Sequence, residues 1–211
     1  MHCPAMFREE RLEQLQGLIT SHPLATLITA GKNGLIANLI PFTLHPGGEN
    51  GILRAHLARG NKQLEDLRDS SEALVVFQGA ECYVTPSWYP SKAEHGKVVP
   101  TWNFTMVQVR GKPRIFDDTD WLRAQIETMT RQHEKQREEA WEVSDAPGEY
   151  IEAQLKAIIG IEIPIQAIEG KWKISQNKVP ADRQGVIDGL RSEQCCPSML
   201  GTMEAHYQTI G

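Results

Sequence analysis

The sequence has little cysteine and no long hydrophobic run, and these two absences exclude several classes of protein. Only four cysteines occur in 211 residues, with no C-x-x-C motif and no zinc-binding spacing. Two of them, Cys195 and Cys196, are adjacent and too close to one another for a normal structural disulfide. The longest apolar runs, such as LATLITA at 24–30, have the length of a strand and cannot span a bilayer. Since no signal-peptide pattern is present either, we expect a soluble, cytoplasmic protein that does not enter a membrane.

The common catalytic and phosphate-binding motifs are also missing. The sequence contains no GxGxxG, no P-loop, no HExxH and no G-x-S-x-G. His133-Glu134 lacks a second histidine at helical spacing, so we interpret it as a pair on a helix surface. The sequence therefore predicts no metal site, and it identifies no catalytic residue.

The net charge of −5 excludes a general electrostatic attraction to nucleic acid or to anionic membranes. This charge is unevenly distributed along the chain. Residues 117–152 hold eleven acidic and four basic residues, and the remainder of the chain is slightly positive. We therefore expect any anion-binding site to lie outside the acidic segment.

Hydrophobic patterns predict a mainly β protein with helices at its ends. The predicted strands cover 24–30, 35–42, 52–57, 73–78, 81–85, 101–111 and 157–175, the last interrupted by Pro164. Asn33-Gly34 predicts a tight hairpin between the first two strands, and Pro41 favours an edge position or a bulge for the second. Hairpin signals and strands marked by proline favour an antiparallel, closed or nearly closed barrel.

Helices are predicted at 7–20 and 61–67, after Asp117, after Pro180 and after Pro197. The helix after Asp117 should bury Leu122, Ile126, Met129 and His133, which follow helical spacing. We expect one domain over residues 1–211, with a helical insertion at about 117–155 and C-terminal helices at about 180–208.

The aromatic segment at 83–104, YVTPSWYPSKAEHGKVVPTWNF, is the most informative stretch. Its three prolines argue against a helix and against a clean central strand. Aromatic rings beside hydroxyl groups, an amide and lysines are typical of a site for a flat anionic ligand. Such rings can equally close one end of a barrel without binding anything, and Trp88 and Trp102 alone would favour that interpretation.

Two basic segments could bind an anion. HLARGNK at 56–62 predicts a strand that runs into a helix, where free N–H groups, Arg59 and Lys62 suit a phosphate. EGKWKISQNK at 169–178 interleaves lysines with Trp172, which suits a phosphate-bearing cofactor or nucleic acid. A solvated basic surface would explain either segment equally well.

Taken together, these segments resemble the PaiB family of FMN-binding transcriptional regulators. The resemblance rests on HLARGNK, YVTPSWYPSK, KVVPTWNF, VSDAP at 143–147 and EGKWKISQNK, and it extends to PAMF near the start and DRQGVIDGL at 182–190. It implies an antiparallel split β-barrel of the FMN-binding, pyridoxamine-phosphate-oxidase type. It also implies a homodimer with flavin at the subunit interface.

The resemblance further implies roles for twelve residues. The FMN phosphate would bind at the basic turn, with further contacts from the aromatic segment, through Arg59, Asn61, Lys62, Ser87 and Lys92. The isoalloxazine ring would contact Asn38, His56, Trp102 and Asn103, with Thr101 beside them. Lys173 and Gln176 would reach the flavin from the second subunit, where a cation near the ring favours the reduced form.

Three functions remain open at this point. The first is an FMN-binding dimer that acts as a negative transcriptional regulator, although no helix-turn-helix can be identified and DNA binding is not evident from the sequence. The second is an FMN-dependent oxidoreductase acting on an unknown small substrate. The third is an interaction module without a cofactor.

Overall fold

The computed structural model describes residues 1–32 and 34–208, which form two compact units. Unit 1 contains Met1–Leu18, Gln78–Val107 and the chain from Glu169 onward, and unit 2 contains Ile19–Phe77 and Gln108–Ile168. Two long strands contribute residues to both units.

Ten strands are present among the described residues. They are β1 (Arg8–Glu9), β2 (Leu24–Gly31), β3 (Gly34–Pro41), β4 (Thr43–His45), β5 (Ile52–Ala58), β6 (Ala73–Val84), β7 (Thr101–Gly111), β8 (Arg114–Phe116), β9 (Ile158–Pro164) and β10 (Ala167–Lys173).

Seven α-helices accompany these strands in the described part of the chain. They are α1 (Leu12–Ser21), α2 (Gln63–Asp69), α3 (Ser91–His95), α4 (Thr119–Glu134), α5 (Gly148–Lys156), α6 (Pro180–Ser192) and α7 (Pro197–Gln208). Short 3-10 helices cover Ala5–Phe7, Pro86–Trp88 and Val143–Asp145. None of the described helices is both long and apolar enough to cross a membrane.

Unit 2 contains two sheet segments whose register places the basic turn. In one, β2 pairs with β3 on one side and with the first part of β6 on the other, both antiparallel. In the other, the strands follow the order β4-β5-β9-β8, again antiparallel. The last pair of the β5–β9 ladder joins Ala58 to Ile158, so the basic turn follows directly where this ladder ends.

Unit 1 contains the strand order β1-β10-β7-β6, with helices α6 and α7 at its C-terminal end. Trp88 lies against helix α6, where two glycines leave room for it. A Cβ atom on Gly185 would lie 2.0 Å from the carbonyl oxygen of Trp88, and one on Gly189 would lie 2.4 Å from its ring. The indole nitrogen of Trp88 donates a hydrogen bond of 2.8 Å to Glu193, which fixes the ring in place.

Many of the predicted elements are confirmed. The hairpin joins β2 and β3 with Gly31 opposite Gly34, and Gly34 has a φ of +95°. Asn33, the other residue predicted for this turn, lies outside the described residues. β3 is the last strand in its sheet order, as Pro41 predicted. The C-terminal helices and the helical insertion also form where the sequence placed them.

Several predictions are wrong in detail. The strands predicted at 73–78 and 81–85 are one continuous strand, β6, because Gly79 is accommodated within it against Thr105 and Leu18. The first helix begins at Leu12 instead of residue 7, because Arg8 and Glu9 pair with β10. β4 and β8 were not predicted at all.

The aromatic segment and the acidic helix also differ from expectation. The aromatic segment does contain a helix, α3, which Pro90 immediately precedes, a position where proline is tolerated. In helix α4, Leu122 is buried but His133 is exposed, so His133 does not belong to the inner face. Met129 and Ile126 are half-buried.

The insertion has a small hydrophobic core of its own within unit 2. Leu122 from α4 packs with Val143, Ile151 and Leu155, and partly buried neighbours surround them. Trp121 stacks on Phe116 with ring centroids 4.6 Å apart. This core anchors the acidic segment beside the strand ends that carry the basic turn.

Candidate functional site

In unit 2, the structure places Arg59 directly after β5 and surrounds its guanidinium with acceptors. Two of its N–H groups donate to the carboxylate of Asp117, over 2.8 Å and 2.6 Å. Its Nε donates to the carbonyl oxygen of Lys156 at 2.9 Å, and Nη2 also donates to that of Ile158 at 3.2 Å. Arg59 therefore binds a carboxylate in the bidentate way that it would bind a phosphate.

The Arg59–Asp117 pair lies at the surface, with side chains 44% and 61% exposed. The hydrogen bonds from Arg59 hold the pKa of Asp117 below its usual value, and the same hydrogen bonds raise the pKa of Arg59. Both groups are therefore charged around neutral pH. Because solvent screens an exposed pair strongly, a better anion can compete for the guanidinium.

Beyond the turn, Asn61 and Lys62 precede helix α2. The side-chain oxygen of Asn61 accepts a hydrogen bond of 3.0 Å from the backbone N–H of Gln63, the first residue of the helix. Lys62 is exposed. In this structure Asn61 shapes the turn, while Lys62 offers its charge to solvent.

Asn38 is connected to the same turn through Gln63. The amide of Asn38 donates to the side-chain oxygen of Gln63 at 3.0 Å. Gln63 is fully buried, and its amide nitrogen donates to the carbonyl oxygens of Leu27 and Ile36 at 3.0 Å and 3.2 Å. Gln63 therefore brings Asn38 and Asn61 into one network.

His56 lies on β5 opposite Gly160, with one ring nitrogen unsatisfied. Its Nδ1 is buried and has no hydrogen-bond partner among the described residues. Burial lowers the pKa of this imidazole, so the ring is neutral around pH 7. An unpaired buried nitrogen is costly, which makes it a natural contact for a ligand.

In unit 1, the exposed face of the sheet carries a pair of aromatic rings. Trp102 on β7 is 53% exposed and Tyr83 on β6 is 47% exposed. Their ring centroids are 5.8 Å apart in an edge-to-face arrangement. Two large exposed rings in contact form an apolar patch of the kind that suits a binding surface.

Lys173 on β10 lies next to this aromatic pair. Its ammonium donates to the hydroxyl of Thr101 at 2.6 Å and to the carbonyl oxygen of Trp102. Within the described chain it forms no ion pair with a carboxylate. Burial lowers its pKa, and repulsion from Lys171 and Lys178 lowers it further. A half-buried cation without a carboxylate partner is suited to an anionic ligand.

The remaining predicted residues of unit 1 make local contacts. Lys92 donates to the hydroxyl of Ser87 at 3.3 Å, and both side chains are exposed. Gln176 follows β10 and is tied to its end, since its amide donates to the carbonyl oxygen of Trp172 at 2.6 Å and accepts from the N–H of Ile174 at 2.8 Å.

Asn103 is fully buried, in contrast to its neighbour Trp102. Its amide donates to the hydroxyl of Ser175 at 2.9 Å and contacts the sulfur of Met203 at 3.7 Å. In this structure Asn103 links β7 to Ser175, a non-glycine residue with a φ of +70°. The amide is therefore already paired inside unit 1.

Sequence reasoning missed two buried polar residues that support these groups. Gln63 is one, and Asp182 on α6 is the other. Asp182 accepts hydrogen bonds from the backbone N–H of Ser91 at 3.1 Å and from its hydroxyl at 2.7 Å, and so caps helix α3. The cap comes from a residue 91 positions away, and a search for local capping residues could not have found it.

Each unit by itself presents groups of the kind that bind ligands. Unit 1 has exposed aromatic surface beside Lys173, which suits a flat anionic ligand. Unit 2 has Arg59, Lys62 and the unsatisfied nitrogen of His56, which suit a phosphate or another polar group. Ligand sites combine apolar cover with a few placed polar groups.

Comparison with known proteins also supports a flavin as the ligand. The family model described as "Putative FMN-binding domain" matches residues 1–167. Protein AN0679 of Emericella nidulans is 38% identical over 228 residues, covering 91% of each chain. Protease synthase and sporulation protein PAI 2 of Bacillus subtilis is 27% identical, covering 92% of this chain and 91% of that protein.

Solved structures share the fold at low identity. A FAD and heme binding protein from Mycobacterium smegmatis superposes with a TM-score of 0.57 and 18% identity, covering 79% of this chain and 73% of that one. The likeness concerns the arrangement of antiparallel sheets and flanking helices. The likeness in structure shows the fold, and the family model that matches residues 1–167 shows that the chain belongs to the PaiB-like family of FMN-binding domains, whose cofactor is FMN.

Proposed function

We propose that this protein binds FMN as a homodimeric split barrel and acts as a negative transcriptional regulator. The observation that carries the cofactor part is the exposed Trp102–Tyr83 pair beside Lys173, a cation without a carboxylate partner in the described chain. The aromatic surface would cover the flavin ring, and the cation would favour its anionic, reduced form. Bound FMN would supply hydride and single-electron transfer, and the chain's own groups would bind and orient it.

The phosphate of FMN would bind at the turn after β5. Arg59 presents a bidentate donor pair there, and Lys62 adds an exposed positive charge. His56 and Asn38 would meet the polar edge of the ring, since the Nδ1 of His56 is unsatisfied. Ser87, Lys92 and Gln176 would contribute secondary contacts.

An open apolar surface supports the homodimer. On unit 2, Leu24 is 57% exposed on β2, and Leu35 and Leu39 are 77% and 64% exposed on the edge strand β3. Leu39 lies opposite Thr26 and Leu24 opposite Pro41, so these side chains share one face of the hairpin. We call this surface the β2–β3 face. A second copy of the chain would cover it, as the family resemblance implies.

The regulatory role is supported by the relative named for protease synthesis and sporulation, to which this chain is similar along nearly its whole length. For direct DNA contact, Lys171 and Lys178 offer charge on unit 1. Two-fold symmetry would double it.

The cofactor proposal is tested by titrating the purified protein with FMN and recording absorbance and flavin fluorescence. We expect saturable binding, and Trp102→Ala should weaken it about tenfold or more. Trp141→Ala is the matched control, because Trp141 is 45% exposed but lies in the acidic insertion. Equal affinity of the two variants would contradict the placement of the ring on Trp102.

The regulatory proposal is tested by fluorescence anisotropy with DNA from upstream of the protein's own gene, at several salt concentrations. We expect affinity to fall steeply with salt and to weaken in Lys171→Gln and Lys178→Gln. Absent binding, or binding that is insensitive to salt, would exclude direct DNA contact.

An FMN-dependent oxidoreductase is the second candidate, and Lys173 is the observation that favours it. Its lowered pKa makes this ammonium a better proton donor than an ordinary lysine. The test is consumption of NADH or NADPH by the FMN-loaded protein. A turnover rate no higher than that of free FMN would exclude this function for both reductants.

A further inference from the structure

We propose that Asp117 is an internal competitor for Arg59, whose carboxylate occupies the donor groups that would otherwise bind a phosphate monoester. The inference rests on the proposed binding of FMN through its phosphate. It adds that the acidic insertion lowers the affinity of this site, and that the ligand has to displace Asp117.

The carboxylate of Asp117 is placed as a bound anion would be. Its two oxygens accept hydrogen bonds from Nη1 and Nη2 of Arg59 at 2.8 Å and 2.6 Å. A carboxylate and a phosphate each offer two oxygens to the same pair of guanidinium N–H groups. The same pair of N–H groups cannot fully satisfy both anions at once, so the two compete.

Arg59 remains in position when Asp117 leaves. Its Nε still donates to the carbonyl oxygen of Lys156 at 2.9 Å, and Nη2 still donates to that of Ile158 at 3.2 Å. Its backbone N–H donates to the carbonyl oxygen of Ala157 at 2.8 Å. The two side-chain bonds hold the guanidinium and the third holds the backbone of Arg59, so the group is ready for an incoming anion, which reduces the ordering that binding requires.

Asp117 is able to leave without disturbing helix α4. The helix is capped by Asp118, whose carboxylate accepts a hydrogen bond of 2.7 Å from the N–H of Trp121. The side chain of Asp117 is 61% exposed. Solvent therefore hydrates it readily once a ligand takes its place.

The experiment compares Asp117→Asn with Asp120→Asn, which removes the same charge from an exposed position three residues further on, in the first turn of α4. Each variant is titrated with FMN and with riboflavin, which lacks the phosphate. We expect Asp117→Asn to bind FMN about three to ten times more tightly than the wild type, a range typical of freeing one charged contact. Asp120→Asn should change the affinity less than about twofold, and riboflavin binding should be equal in all three proteins.

Several results would overturn the inference. Unchanged or weaker FMN binding by Asp117→Asn would do so. Asp117→Ser is a second variant, which shows whether the effect comes from the loss of the carboxylate or from asparagine itself. A gain that appears equally for riboflavin or in Asp120→Asn would show a general charge effect. FMN binding that is unaffected by Arg59→Ala would show that Arg59 does not bind the phosphate.

Failure of the proposed FMN binding can be distinguished from failure of the competition by Asp117. If the wild type bound no FMN, the cofactor proposal would be contradicted. Binding that appeared only in Asp117→Asn would still support competition, and absence of binding in both proteins would refute both proposals.

Discussion

Gln63 contacts more partners than Arg59 in the site of unit 2. It is fully buried, accepts from Asn38, and donates to the hydroxyl of Thr29 and to the backbone of both β2 and β3. The neighbours of Gln63 present one donor and several acceptors, and an amide can pair with both kinds of group. Neither a carboxylate nor an apolar side chain could do so. Gln63 thus fixes the basic turn to the β2–β3 hairpin.

Replacing Gln63 with leucine should destabilise the protein. The carbonyl oxygens of Leu27 and Ile36 and the amide of Asn38 would lose partners, at about 1–3 kcal/mol for each group left buried and unpaired. We expect the free energy of unfolding to fall by about 3 kcal/mol, measured by urea denaturation. Glu65→Leu, at an exposed position of the same helix, should change it by less than about 0.5 kcal/mol. Similar losses in both variants would contradict this role.

His56 should make stability depend on pH. Burial lowers its pKa in the folded protein, so below about pH 6.5 the unfolded chain binds a proton that the folded chain does not. Protonation therefore favours unfolding, and the contribution of His56 to stability is lost as the pH falls. We expect the urea midpoint to drop between pH 7.5 and pH 5.5, and to drop less in His56→Gln. An identical drop in both proteins would assign the effect to other groups.

The sequence allowed residues of the site to be proposed, but it did not show which groups they bind. The structure confirms that Arg59 follows a strand, but its hydrogen bonds with Asp117 depend on two segments 58 residues apart. Trp102 and Asn103 alternate along one strand and therefore lie on opposite faces, but the sequence does not show which face is exposed. Buried polar networks depend on long-range partners, which a local pattern does not contain.

Helix α6 illustrates how one element accommodates another through small residues. Gly185 and Gly189 are spaced by one turn, and Trp88 fills the space above both. We call this the α6 notch. It anchors the 3-10 helix at Pro86–Trp88, and with it the start of the aromatic segment.

Adding a methyl group in the α6 notch should be harmful. Gly189→Ala would place a Cβ atom 2.4 Å from the ring of Trp88, so the ring or the helix must move. We expect a loss of about 1–3 kcal/mol in unfolding free energy. Gly201→Ala is the control, because it lies in α7 with open space around it and should stabilise by about 0.5–1 kcal/mol. If both substitutions stabilised the protein, the notch would have no packing role.

The type of an element could be predicted where its periodic pattern was long. The residues at which an element begins and ends could not be predicted in the same way. The strand at 101–111 and the helix from Pro180 agree with their patterns. Helix α3 was missed because its first N–H is capped by Asp182 from α6. β8 was missed because a strand of three residues carries too little pattern to recognise.

At the scale of the whole molecule, the β2–β3 face is the feature that a single chain does not explain. Exposed leucines on an edge strand invite pairing with another copy, and proteins usually avoid them. The proposed homodimer would bury them. The oligomeric state is therefore the property that most directly tests the proposed assembly.

Leu39→Lys should convert a dimer into a monomer without unfolding it. The side chain is 64% exposed, so the lysine would be solvated in the single chain but buried and unpaired between two copies. Light scattering coupled to gel filtration would show half the mass. Val179→Lys, at a position 58% exposed in unit 1, should leave the mass unchanged. A wild-type protein that is already monomeric would contradict the dimer.

The small hydrophobic core of the insertion has a practical consequence. Residues 135–142, between α4 and the 3-10 helix at Val143–Asp145, are all exposed, which makes them accessible to proteases. Because Leu122 on one side of this loop packs with Ile151 and Leu155 on the other, a nicked chain would stay together without its covalent link. The loop is accordingly a place to divide the protein into two fragments that reassemble, or to attach a dye.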